Sequence, residues 1–353
     1  MYGTLGVLDT LAASQQTVAE FGEDKAFDAI SQALALHNTV LADGLTDLVE
    51  YTDDNLRRYG SVAEMEMVEV DEWGAADTQK ITAGANVGFP LRKRQIAIQW
   101  TRTFMMTTSG VELAAHYDAA RLADIRAVQK DIKRALFTPT NNLTYVDRLV
   151  KNVTLPLRAL LNADSEPIPY GPNGEAFVPA THTHYLATAA LVAANVSALI
   201  ETVVEHGVSG NVRLYINRAQ EAAIRAMANF TPYMDARIIP GSGTTVANGD
   251  LNMGNFGNRA IGTFDAAEVW VKPWMLPSYM FAFDQRASGK PLVFRTRTGQ
   301  ATGMGALAIA ADHEHYPLRA VHMEREYGIG VFTRTNGAVL YIGGGAYVTP
   351  TTF

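Results

Sequence analysis

SGVELAAHYDAARLADIRAVQKDIKRALFTP, residues 109–139, is the stretch on which the reading of this chain turns. Ser109 followed three residues later by Glu112 has the form of a capping box, in which each side chain satisfies a backbone N–H that the first helical turn leaves unpaired. Ile125, Val128, Ile132 and Leu136 recur at three- and four-residue steps and share one helix face. Asp124, Arg126, Lys130, Asp131, Lys133 and Arg134 are expected to cover most of the remaining surface. Pro139 stops the helix, because proline restricts the residue before it and has no N–H to donate. The result is about seven turns, on the order of 40 Å. Globular helices average about three turns, so this one is expected to act as a beam for other elements.

Working outward, the preceding segment 61–104 changes texture. SVAEMEMVEVDEW alternates apolar and acidic residues, GAADTQKITAGANVGFP is small and glycine-rich, and LRKRQIAIQWTRTF alternates again. Strand, long connection and strand make a two-stranded arm. Its outgoing strand carries Glu64, Glu66, Glu69, Asp71 and Glu72, and its return strand carries Arg92, Lys93, Arg94 and Arg102. Opposite charges across a ribbon favour the pair by a few tenths to about 1 kcal/mol each. An isolated ribbon is marginal in water, so the arm is expected to lie against this subunit or a neighbour. Before it, a short helix from Asp9 and a helix over 23–50 are expected, the latter with Phe27, Ile30, Leu34, Leu41, Leu45 and Leu48 as its stripe.

Beyond the long helix, 143–161 reads as helical with an interruption at Pro156. Residues 165–179, with four prolines and two glycines, form a loop and a domain boundary. From Thr181 the texture is α/β. A helix is expected over 185–205, ending at His206–Gly207, followed by a strand over 212–216 and a short helix capped by Asn217 and running to Asn229. A strand near Arg237–Ile239 leads into a glycine- and asparagine-rich loop over 241–258. AEVWVKP, SYMFAFD and PLVFRTRT read as strands. So do the runs within 318–345, with Asn336–Gly337 as a hairpin signal.

The chain has 353 residues, of which 48% are hydrophobic and 18% charged. That is ample material for a core under a sparsely charged surface, as expected where other subunits cover much of the outside. A net charge of -7 argues against a nucleic-acid-binding domain, which would be basic. The absence of cysteine excludes disulfides, thiolate chemistry and cysteine-ligated metals. The N-terminus lacks the basic region of a signal peptide. The apolar run 186–204 is broken by Asn195, Ser197 and Glu201 and reads as a buried helix rather than a membrane span.

The order of parts resembles the major capsid proteins of tailed bacteriophages, the HK97-like capsid fold. The segments that carry the resemblance are the ribbon 61–104, the helix 109–138, the α/β region 181–311 and the strands 312–345, with AEVWVKPWMLPSYMFAFD and REYGIGVFTRTNGAVLYIGG resembling the family's later strands. The resemblance implies an α+β fold with an N-terminal arm and helix (1–60), an extended β-hairpin loop (61–107), a peripheral domain with a spine helix and long strands (108–180 and 312–353), and an axial α/β domain (181–311). It also implies a structural protein rather than an enzyme, one that self-assembles as hexamers and pentamers into an icosahedral virion head around double-stranded DNA without reading its sequence. Partners are then copies of itself, a separate scaffolding protein, a portal and a decoration protein, with assembly in the host cytoplasm and no membrane. Some relatives cross-link a ribbon lysine to a neighbour's asparagine, and the resemblance offers Lys80, in the ribbon's connection, as a candidate counterpart. An encapsulin-like compartment shell shares the fold and is the nearest rival.

No phosphate loop and no Gly-x-Ser-x-Gly elbow is present. Two His-x-His pairs remain, His182/His184 and His313/His315; on a strand, residues two apart face one way, and each pair could grip a metal. A metal-dependent enzyme built on them is the rival from another class. The blander reading, loops with polar neighbours, is preferred, and no metal or cofactor is expected. Trp73, Trp274 and Met275 are expected to be exposed in the isolated chain and to serve as inter-subunit anchors, together with Lys80, Glu64, Glu66, Glu69, Arg92, Lys93 and Arg94.

Overall fold

A computed structural model describes residues 17–59, 67–78, 84–207, 210–233, 258–297 and 305–353. The long helix runs Gly110–Phe137. The side-chain hydroxyl of Ser109 accepts from the N–H of Glu112, as its spacing predicts. The reciprocal half of the box is not made; the Glu112 carboxylate instead accepts from the Thr108 hydroxyl at 2.5 Å. Ser109→Ala removes the remaining cap and is expected to cost about 1 kcal/mol, read as a shift in the chemical denaturation midpoint.

The helix lies along one long strand, β15 (Leu318–Val331), which organises a five-stranded sheet. β4 (Arg92–Thr101) pairs antiparallel with residues 318–327 of β15, and β14 (Ala308–His315) pairs with its other edge over 318–324. β13 (Leu292–Arg295) continues the pairing over 328–331, and β1 (Val49–Thr52) adds in parallel to β13. Val128, Ile132 and Leu136 of the helix pack with Phe294, Tyr327, Ile329 and Val331 of this sheet. Nearer its start, Leu113, Tyr117 and Ala120 join Trp100, Val321 and Met323, and the helix Glu23–Leu45 closes that cluster with Ala26, Ile30, Ala33 and Leu34.

A second sheet has seven strands in the order β7-β16-β12-β8-β11-β10-β9. These are Tyr185–Thr188, Ala338–Ile342, Tyr279–Asp284, Val212–Ile216, Ala267–Val271, Arg259–Phe264 and Phe230–Pro232. The strand β12 is buried throughout. Tyr279, Phe281 and Phe283 face the core shared with the long helix, while Met280 and Ala282 face a second core. In that second core the helix Ala193–Val204 buries Val196, Leu199, Ile200 and Val203. A strand covered on both faces reads as an unbroken apolar run, and YMFAFD is one. The two sheets exchange strands across position 311/312. β13 belongs to the five-stranded sheet, and β16, near the C-terminus, belongs to the seven-stranded one.

Several expectations are corrected. Helix 23–50 ends at Leu45 and gives way to β1. Residues 142–157 form an antiparallel hairpin, Asn142–Asp147 with Val153–Leu157, not a helix. Lys151 and Asn152, in the loop 148–152 that joins its strands, have φ of 50° and 55°, left-handed values that stop a helix. The helix expected over 185–205 is a strand followed by the shorter helix 193–204. Asn336–Gly337 makes no hairpin, because β15 and β16 lie in different sheets. Asn336 is buried, and its side chain accepts from the Asp284 N–H and donates to the carbonyls of Asp284 and Gly289. Asp124 and Asp131, read as surface charges on the long helix, are buried and ion-paired. The short helix expected from Asp9, the strand near 237–239 and the loop 241–257 lie outside the described residues.

Candidate functional sites: an exposed loop and a histidine cluster

The expected ribbon is only partly a ribbon. Leu56–Tyr59 pairs antiparallel with Ala85–Gly88 and forms its base. The described part of the acidic run, 67–78, has no strand and is exposed throughout. The return strand pairs with β15 instead. Sign complementarity between the acidic run and Arg92–Arg94 therefore does not mark an intrachain ribbon. Side chains alternate along β4, so Arg92 and Arg94 turn toward the long helix. Arg94 donates two bonds to Asp131 at 2.6 Å, and the Tyr327 hydroxyl donates to the same carboxylate at 2.8 Å. Arg92 stands 4.0 Å from Asp131, and Lys93 pairs with Glu324 at 2.6 Å. The basic run clamps helix to sheet.

Trp73 is 90% exposed and Met67 fully so, with Val68 and Val70 about half exposed. Glu69 is exposed beside them. The Asp71 side chain accepts from the Trp73 N–H at 3.0 Å, and its carbonyl accepts from Gly74, so a tight turn presents the indole. Glu64, Glu66 and Lys80 lie outside the described residues. Trp274 is half-buried, edge-on to Tyr215 at 6.0 Å. Met275 is a correction: it is buried in the main core and offers nothing to a neighbour. Its backbone is held on both sides, the N–H donating to the Lys272 carbonyl and the carbonyl accepting from the Asn217 side chain.

The two His-x-His pairs part company. His313 and His315 sit on β14 with exposed side chains, and the His313 ring meets only that of His322, at 5.4 Å. His182 and His184 are joined by His206, just past the end of helix 193–204, and by Glu205. Among the described residues this is the one convergent group of three or more such side chains. The three Nε2 atoms form a triangle with sides of 3.0, 3.1 and 3.2 Å. Glu205 Oε1 lies 3.5 Å from His182 Nε2 and 3.9 Å from His206 Nε2. His184 is fully buried, with Nδ1 held 2.7 Å from the Gly337 carbonyl. Burial, then the neighbouring His206, holds its imidazole well below the usual histidine range. His206 is lowered to about 4 by burial and then by His182, and burial also lowers His182. The ring of Phe177, from the proline-rich crossover, covers His206 at 4.3 Å and His182 at 4.8 Å. His206 and Glu205 were not legible as site residues: His206–Gly207 reads as a helix ending, and 22 residues separate His206 from His184.

No helix among the described residues is long and apolar enough to cross a membrane. A helix laid along a long strand, beside a mixed sheet covered on both faces, is the α+β architecture of the HK97-like capsid fold. It is shared with a solved structure from Mycobacterium phage Patience at 21% identity, covering 92% of this chain and 89% of that one, with a TM-score of 0.68. A structure from Mycobacterium phage Adephagia aligns at 13% identity over 87% and 90% of the two chains, with a TM-score of 0.48. An encapsulin complex from Synechococcus elongatus PCC 7942 aligns at 11% identity over 86% and 88%, with a TM-score of 0.43. No protein-family model matches the chain. No curated protein matches it either.

Proposed function

We propose that this chain is the major capsid protein of a tailed phage, assembling as hexamers and pentamers into an icosahedral head around double-stranded DNA. The observation that carries the reading is the likeness of fold over about nine-tenths of both chains to the Patience structure. The bare loop 67–78 supports it, because a shell subunit must reach a neighbour with surface that its own chain leaves uncovered. Closed shells need heterologous contacts that close by symmetry, and Trp73 and Met67 suit such a contact. The net charge of -7 suits a wall that surrounds DNA without gripping it. On this reading the work of the chain is burial against its copies, and no step calls for chemistry. A separate scaffolding protein, a portal and a decoration protein complete the assembly in the host cytoplasm.

The test is the content of particles in which this chain is the dominant protein. Nuclease-protected double-stranded DNA at phage-genome length is expected. Particles that lack nucleic acid and hold an enzyme cargo would instead identify a compartment shell.

A further inference from the structure

Three imidazole nitrogens converge on one point, and their own hydrogen bonding does not account for it. His184 holds its Nδ1 against the Gly337 carbonyl, which requires the proton on Nδ1 and leaves Nε2 a lone pair. Of the three Nε2 atoms, then, only those of His182 and His206 can carry hydrogens. Two hydrogens serve at most two sides of the triangle, and the third side stays unpaired. The His206 ring makes no compensating contact at its other nitrogen, which is buried without a partner.

We propose that His182, His184, His206 and Glu205 bind one divalent transition-metal ion of the zinc class in a closed, structural four-ligand site. Zinc bonds to histidine at about 2.0–2.1 Å, so in a tetrahedral site the ligand nitrogens stand about 3.4 Å apart. The observed nitrogen–nitrogen sides of 3.0 to 3.2 Å need small outward adjustments to admit an ion, and the carboxylate oxygen, at 3.5 and 3.9 Å from two of the nitrogens, needs to move inward. The Gly337 carbonyl behind His184 is the outer partner that metal-bound histidines characteristically have, fixing tautomer and ring orientation. Neutral imidazoles are what a metal requires, and burial keeps these rings neutral. Glu205 brings the anionic oxygen; burial and Glu201 raise its pKa, a cost that a cation beside it removes. With four protein ligands no position is left for a substrate, so the site is structural rather than catalytic.

Its place in the fold says what it would hold. The His182 N–H donates to Val178, and the His184 N–H donates to Leu161, while the His184 carbonyl accepts from Val339 of β16. Phe177 lies over the rings. One ion there ties the crossover 165–179 and the end of helix 193–204 to the edge of the seven-stranded sheet. This inference is independent of the shell reading, since it concerns the folded chain alone.

The test uses the full-length chain without an affinity tag, stripped with a chelator and titrated with Co²⁺ and, separately, Zn²⁺. Elemental analysis after gel filtration is expected to find one ion per chain, Co²⁺ to show the intense visible absorption of tetrahedral coordination, and Zn²⁺ to displace it. His182→Gln, at the most exposed of the three histidines, and His206→Gln are each expected to weaken binding at least about 10-fold. His313→Gln is expected to leave it unchanged. Weakened binding in either variant that folds by circular dichroism supports the site. A wild-type chain that retains no ion, or an ion held equally well by the folded variants, would overturn it.

Discussion

Asp147→Ala is expected to destabilise the folded chain by about 3–5 kcal/mol, the cost of leaving a buried charge without its partner. Asp147 is fully buried. Its Oδ2 accepts from Arg295 Nη1 at 2.9 Å and from the Leu91 N–H at 3.1 Å, and its Oδ1 accepts from the Leu149 N–H at 3.2 Å. The same Arg295 nitrogen donates to the Phe89 carbonyl at 2.6 Å. One carboxylate thus joins the hairpin 142–157, the entry to β4 and the strand β13. In the alanine variant the guanidinium keeps one carbonyl and loses its counter-charge, in a site that water scarcely reaches. Asp147→Asn, which keeps an acceptor oxygen but not the charge, is expected to fall between the variant and the wild type. Chemical denaturation of the unassembled chain measures both. A cost below about 1 kcal/mol for the alanine variant would mean that the pair is solvated and behaves as surface ion pairs do.

Trp73→Ala combined with Met67→Ala is expected to do the opposite: leave the fold alone and stop assembly. Neither side chain is covered by its own chain, so folding stability is expected to change by no more than about 0.5 kcal/mol. A large aromatic anchor at an interface is worth about 2 kcal/mol or more when truncated. That is roughly a 30-fold weakening per contact, repeated at every subunit of a shell. The concentration at which particles first form, followed by light scattering and sedimentation, is expected to rise by at least that factor. Unchanged assembly would remove the loop from the contact surface and leave half-buried Trp274 as the stronger anchor.

These two variants also mark what was legible in the sequence. The long helix was, because its cap, its stripe and its stop are all local: Ser109, the series Val128–Ile132–Leu136, and Pro139. The strands β8, β11 and β12 were too, since their apolar character is local: interrupted only by Arg213 in β8 and Glu268 in β11, and continuous over YMFAF in β12. The HK97-like fold followed from the order of such parts. What failed was whatever depends on a distant partner. Arg92–Arg94 find their acids on the long helix and on β15, at Asp131 and Glu324, although an acidic run lies closer in sequence. Asn336 carries a strong local turn signal, yet its amide is committed to Asp284 and Gly289 about fifty residues earlier. The hairpin at 142–157 has apolar spacing that mimics a helix, and only the left-handed turn at Lys151–Asn152 decides against it. The histidine cluster is the extreme case. His182 and His184 were visible as a pair, but the fold supplies the third nitrogen, from a residue that looks like a helix ending.

We propose that this chain is a shell subunit whose loop 67–78 reaches a neighbouring copy. A cryo-electron-microscopy map of particles assembled from the full-length chain tests it most directly. A closed icosahedral shell is expected, in which every subunit follows the two-sheet fold and Trp73 is buried against the next copy. A chain that stays monomeric at high concentration, or a closed shell in which Trp73 still faces solvent, would contradict it.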